Sequence, residues 1–87
     1  MKNTNRFNEI IEENHLNTTD LLSKLREEGI LEAEEGVGSV FLTARSAGVG
    51  LARDGYWYTA AQNEEVDEAV SQDRMTFSAE QYFRNRN

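Results

Sequence analysis

The chain contains no cysteine. That absence excludes a disulfide framework and any thiolate zinc site, and it argues against a small secreted scaffold. Nor does any apolar run approach the roughly 18 residues a membrane span needs, and no apolar signal-peptide core follows Met1-Lys2-Asn3. The cytoplasm is therefore the expected compartment. His15 is the only histidine, so a nucleophile would have a single candidate base. Thr18 and Thr19, the hydroxyls nearest to it in the chain, are better placed as helix caps. At a helix end, His15 itself interacts with the helix dipole. No Gly-Lys-Ser/Thr occurs, and Gly36-Val37-Gly38 and Gly48-Val49-Gly50 each lack the third glycine of a dinucleotide loop, so both read as turns or bulges.

Acid is what the chain has in excess. Sixteen Asp and Glu stand against nine Lys and Arg, a net charge of −7. Residues 1–35 carry nine acids and four bases, and residues 62–73 carry five acids and no base. Between them, residues 36–61 hold Asp54 against Arg45 and Arg53. Two negative blocks thus flank a nearly neutral middle, a field that repels phosphate backbones and favours basic partners. The paired acids Glu12/Glu13, Glu27/Glu28 and Glu34/Glu35 are sequence neighbours, which do not face each other on a helix, and no segment has calcium-loop spacing. These are solvated faces, and neither metal nor cofactor is expected.

Eighty-seven residues make one domain, 1–87, with one modest core. Phe7, Ile10 and Ile11 recur at helical spacing behind a cap at Asn3 or Asn5. Asn17 to Thr19 cap a second helix with Leu21, Leu22 and Leu25 on one face, ended by Gly29, with Ile30 where a Schellman motif places its apolar contact. From there the pattern predicts strands. Ser39 to Arg45 is rich in β-branched and aromatic residues, Val49 to Arg53 follows a turn at 46–48, and Asp54-Gly55 is a hairpin signal leading into Tyr56 to Ala60. A two-residue loop there pairs Leu51 with Tyr58 and Ala52 with Trp57. Asn63 then caps a helix with Glu64 and Glu65 in its first turn and Val66, Ala69 and Val70 as its apolar stripe. A Ser78-Ala79-Glu80-Gln81 capping box opens a last helix with Tyr82 and Phe83 inward. The expected fold is α+β: two N-terminal helices, a short three-stranded antiparallel meander and two C-terminal helices.

Two resemblances follow from these residues. The Leu-x-x-Leu-x-x-x-Gly-Ile pattern across Asp20 to Leu31, followed by a hairpin, resembles the closing half of a winged helix over residues 7–60. That resemblance implies a transcriptional regulator whose second helix reads DNA. The helix offers only Lys24 and Arg26 against Asp20, Glu27 and Glu28, with Arg45 and Arg53 in the wing, which weighs against direct nucleic-acid binding. In size, acidity and lack of catalytic equipment the chain resembles phage and mobile-element inhibitors, anti-CRISPR and anti-restriction proteins among them. This second resemblance implies a non-enzymatic module that blocks a basic nucleic-acid-binding surface of a host protein. The residues expected at such an interface are Phe41, Tyr56, Trp57 and Tyr58 as anchors and Glu64, Glu65, Asp67 and Glu68 as the steering charge. A sheet with large side chains on both faces could also pair with its own copy as a homodimer.

Overall fold

A computed structural model of the chain describes residues 1–52 and 54–71. Helices α1 (Thr4–Glu13), α2 (Thr18–Glu27) and α3 (Val37–Ala47) precede a two-stranded antiparallel hairpin, β1 (Gly50–Leu51) and β2 (Trp57–Tyr58). Helix α4 (Ala60–Ser71) follows directly. The α+β class holds, but its division differs from the expected one. The capping box at 78–81 and the helix expected after it lie outside the described residues.

The first two helices form for the reasons their sequence gives. Asn3 closes α1 by accepting the Arg6 amide at 3.2 Å, and Asn17 closes α2 by accepting the Asp20 amide at 2.9 Å. Gly29 takes a left-handed φ of 73°. The Ile30 and Gly29 amides then donate to the Leu25 and Arg26 carbonyls, the two hydrogen bonds of a Schellman motif, and Ile30 is buried.

Residues 39–45 are helix α3, where the sequence predicts a strand. Val40 and Ala44, four residues apart, are buried, and α3 packs against α1. Tertiary burial at helical spacing outweighs the modest strand preference of Val40, Phe41 and Thr43. Helix α3 ends as α2 does: Gly48 has φ 73°, and the Val49 and Gly48 amides donate to the Ala44 and Arg45 carbonyls. The third strand position comes from elsewhere. Asn17, between α1 and α2, bridges Tyr56, and the Trp57 amide donates to the Leu16 carbonyl at 3.0 Å.

The hairpin is one residue out of its predicted register. Leu51 pairs with Trp57 and Gly50 with Tyr58. The Ala52 amide donates to the Tyr56 carbonyl, which leaves a three-residue loop. Within it the Gly55 amide donates to the Ala52 carbonyl and Gly55 adopts φ 88°, the turn-plus-left-handed-glycine arrangement common for loops of that length. Asp54 fixes the geometry. Its carboxylate accepts the Tyr56 amide at 3.3 Å and the Tyr58 hydroxyl at 2.9 Å.

Helix α4 starts three residues before the Asn63 cap expected from sequence. Thr59 and Gln62 form a reciprocal capping box: the Thr59 amide donates to Gln62 Oε1 and the Gln62 amide to Thr59 Oγ1. The other end of the buried Gln62 amide donates to the Glu12 carbonyl, tying α4 to the end of α1. Glu64 and Glu65 consequently sit beyond the first turn. The core gathers Phe7, Ile10, Ile11, Leu21, Leu25, Ile30, Leu31, Val40 and Trp57, each large side chain contributing about 1.5–3 kcal/mol by leaving water. Among the described residues no helix is long and apolar enough to cross a membrane.

Candidate interaction surface

Helix α3 exposes what its buried stripe leaves over. With Val40 and Ala44 inward, Val37, Phe41 and Leu42 face outward with 42%, 45% and 69% of their surface accessible. Leu51 on β1, the strand that packs against α3, is the other large exposed apolar side chain among the described residues. All four therefore lie on two adjoining elements. The Phe41 ring rests on Trp57 with centroids 5.2 Å apart and planes tilted by 50°, so a buried indole supports a half-exposed phenyl.

Residues 36–53 contain no acid. The cations of α1 and α2 are committed to carboxylates or, for Arg26, to a backbone carbonyl. Arg6 grips Glu28 through Nε and Nη2 at 2.8 and 3.1 Å, and Lys24 adds a contact to the same carboxylate at 3.3 Å. The hydrogen bond from Arg6, helped by that from Lys24, holds the Glu28 carboxyl below its ordinary value. Lys2 pairs with Glu32 at 2.8 Å, and Arg26 donates to the Glu35 carbonyl. Among the described residues Arg45 is the lysine or arginine left without such a partner, exposed in the last turn of α3.

The residues expected at an interface are distributed unevenly. Phe41 is on the surface. Tyr56 is half-buried, its ring 4.2 Å from that of His15. Trp57 and Tyr58 are fully buried and offer no surface to a partner. Trp57 donates Nε1–H to Thr18 Oγ1 at 3.0 Å, which satisfies the polar edge of an otherwise apolar core residue. Glu64, Glu65, Asp67 and Glu68 are exposed on α4, which packs on β2 while α3 packs on β1. Sequence reasoning passed over Val37, Leu42 and Leu51. The i, i+4 spacing of Val37 and Phe41 was the available signal. No group of three His, Asp or Glu side chains among the described residues could hold a metal ion. Comparison with protein-family models, curated proteins and solved structures finds no match for this chain.

Proposed function

We propose that this protein is a non-enzymatic, acidic protein-binding module that docks through α3 and β1. The observation that carries the reading is the gathering of every large exposed apolar side chain of the described residues onto those two elements, beside Arg45, which has no carboxylate partner among the described residues. Aromatic residues, aliphatics and Arg without Lys, Glu or Asp is the composition of an interface core. Val37, Phe41 and Leu42 stand at i, i+4 and i+5 of one helix, so α3 is presented as the inserted element and the partner supplies an apolar groove. The net charge of −7 gives that groove a basic rim. It also disfavours a second copy as occupant, because two such chains repel. An inhibitor that covers a basic nucleic-acid-binding surface of a host protein suits this charge best.

The order α1, bridge at Asn17, α2, α3, hairpin is that of a winged helix, with α3 rather than α2 in the presented position. Fold alone does not assign function. Still, the acid-free stretch 36–53, with Arg45 lacking a carboxylate partner among the described residues, supports duplex DNA as a second reading.

Affinity capture from the native host with the wild-type chain, Phe41→Glu and Leu42→Glu separates the two, run beside gel shifts on cognate upstream DNA. The expected result is a salt-sensitive protein partner retained by the wild type and lost by both variants. Partners that both variants capture equally would sink the proposal. DNA retarded in physiological salt and released on Arg45→Ala would establish the second reading instead. Light scattering should give a monomer, and a dimer abolished by Leu42→Glu would assign the face to self-association.

A further inference from the structure

We propose that Asp54 is a site of isoaspartate formation, a covalent change of the backbone that the folded hairpin holds off through the Tyr58 hydroxyl. Among the asparagines and aspartates of the chain, Asp54 alone is followed by glycine. The reaction brings a backbone amide onto the side-chain carboxyl of the residue before it. A Cβ on the second residue hinders that approach, and glycine has none. The Gly55 nitrogen bonds to Asp54 Cγ, and one carboxyl oxygen leaves as water with two protons, one from the carboxyl and one from the amide. Water then opens the five-membered imide. Breaking the bond between nitrogen and the Asp54 α-carbonyl carbon routes the backbone through Cβ and Cγ and frees the α-carboxylate; breaking the bond to Cγ restores aspartate. Solvent reaches this loop tip, because Gly55 is exposed and an added Cβ there would meet nothing within 4 Å.

The native loop keeps both reacting groups occupied. The Gly55 N–H donates to the Ala52 carbonyl at 3.0 Å, so the attacking nitrogen is tied across the loop. Asp54 Oδ1 accepts the Tyr56 amide at 3.3 Å and Oδ2 accepts the Tyr58 hydroxyl at 2.9 Å, so both oxygens are engaged by groups beyond Gly55. Bringing Cγ onto the Gly55 nitrogen requires the carboxylate to turn away from that hydroxyl and the Gly55 N–H to leave Ala52. The Tyr58 contact is the firmer tether. Its hydroxyl hydrogen bond is charge-assisted, its ring is fully buried, and its backbone is paired with Gly50 in the hairpin. The product carries one more carbon in the backbone of a three-residue loop, and its carboxylate sits on Cα instead of Cβ. The turn that joins β1 to β2 then loses the geometry in which Asp54 holds Tyr56 and Tyr58.

Incubation of the full chain at neutral pH, native and in concentrated urea, tests this directly. Isoaspartate at residue 54 is followed over weeks by peptide mapping with electron-transfer fragmentation, which tells the two isomers apart. Asp54→Glu, whose longer side chain cannot close a five-membered imide, supplies the blank. The unfolded chain, which makes none of these hydrogen bonds, should accumulate isoaspartate at least about tenfold faster than the native one. Tyr58→Phe should raise the native rate roughly tenfold, the factor that one hydrogen bond to a charged group confers. Ile30→Val, a buried change in the connection between α2 and α3, should leave the rate unchanged, which separates release of the loop from global unfolding. Equal rates in the native and unfolded chain, no isoaspartate at 54 in either, a Tyr58→Phe rate equal to wild type, or equal acceleration by Tyr58→Phe and Ile30→Val would each overturn the proposal. The partner of α3 plays no part in this experiment.

Discussion

Trp57→Ala is the substitution that most sharply separates a core role from an interface role. The indole is fully buried, belongs to the central cluster, stacks under Phe41 and donates to Thr18. Truncating a buried Trp to Ala costs about 3–5 kcal/mol through lost transfer energy and the cavity left behind. An 87-residue domain has a total stability of about 4–13 kcal/mol at 0.05–0.15 kcal/mol per residue. Trp57→Ala therefore removes between a quarter and all of it. Trp57→Phe keeps a ring beneath Phe41 and gives up the N–H, at about 1–2 kcal/mol. Phe41→Ala exchanges a phenyl that is 45% exposed and should cost less than Trp57→Ala by about 2 kcal/mol. Urea unfolding followed by far-ultraviolet circular dichroism measures all three. Because the chain has one tryptophan, acrylamide quenching of the wild type adds an independent reading of its burial. If Trp57→Ala unfolds at the same urea concentration as Phe41→Ala, or the native indole quenches as freely as the unfolded one, Trp57 is a surface residue and the packing argument fails.

Three further outcomes follow from particular contacts. Gly48→Ala should cost about 1–2 kcal/mol, because φ is 73° while the added Cβ would meet only Ala60 Cβ at an ordinary 3.5 Å, so the loss is backbone strain; a Tm equal to wild type would contradict it. Asn8→Leu should raise stability by about 1 kcal/mol by removing an acceptor that has no donor, and a fall in urea midpoint would show that Oδ1 is satisfied after all. The Glu28 carboxyl titrates lower when folded than when unfolded, so the stability it contributes is present above the unfolded value near 4.3 and is lost as pH falls through the folded one; Glu28→Gln should flatten that part of the curve in thermal melts from pH 6 to 3, and an unchanged slope would refute the linkage.

Helices α1 and α2 were legible because two independent signals agree in each and a third joins them in α2. The apolar spacing of Phe7, Ile10 and Ile11 or of Leu21 and Leu25, an Asn cap with a free side-chain oxygen, and for α2 the Gly29-Ile30 stop all point one way. Helix α3 was obscured because its signals conflict. Gly36 has no side chain to cap with, so no start is marked, and Val40-Phe41-Leu42-Thr43 carries strand-favouring side chains. Yet Val37, Val40, Phe41 and Ala44 fall at i, i+3, i+4 and i+7, and Gly48-Val49 repeats the stop that ends α2. A period sustained over two turns and a matching stop signal were the stronger information, since β preference mostly records half-buried packing. The hairpin was missed by one residue because Asp54-Gly55 reads as a two-residue loop until the Asp54 carboxylate is seen holding both Tyr56 and Tyr58. Residue type alone could not distinguish an aromatic anchor from an aromatic core, and Trp57 and Tyr58 differ from Phe41 in that respect.

The change from strand to helix over 39–45 also decides which surface is available. In a strand, side chains alternate, so Val40, Leu42 and Ala44 would share one face and Phe41, Thr43 and Arg45 the other. Burying the first set would hide Leu42 and leave Phe41 beside a single arginine. In a helix, a buried stripe of Val40 and Ala44 leaves Val37, Phe41 and Leu42 outward together, with Arg45 one turn past Phe41. The objection to an acidic second helix as the DNA-reading element then no longer bears on the surface in question, since the presented helix is the acid-free one. What still weighs towards a protein is number. Each phosphate contact adds about one unit to the salt dependence of DNA affinity, and α3 supplies one cation where several would be needed. Its three outward apolar side chains, by contrast, are enough to anchor a helix in a groove.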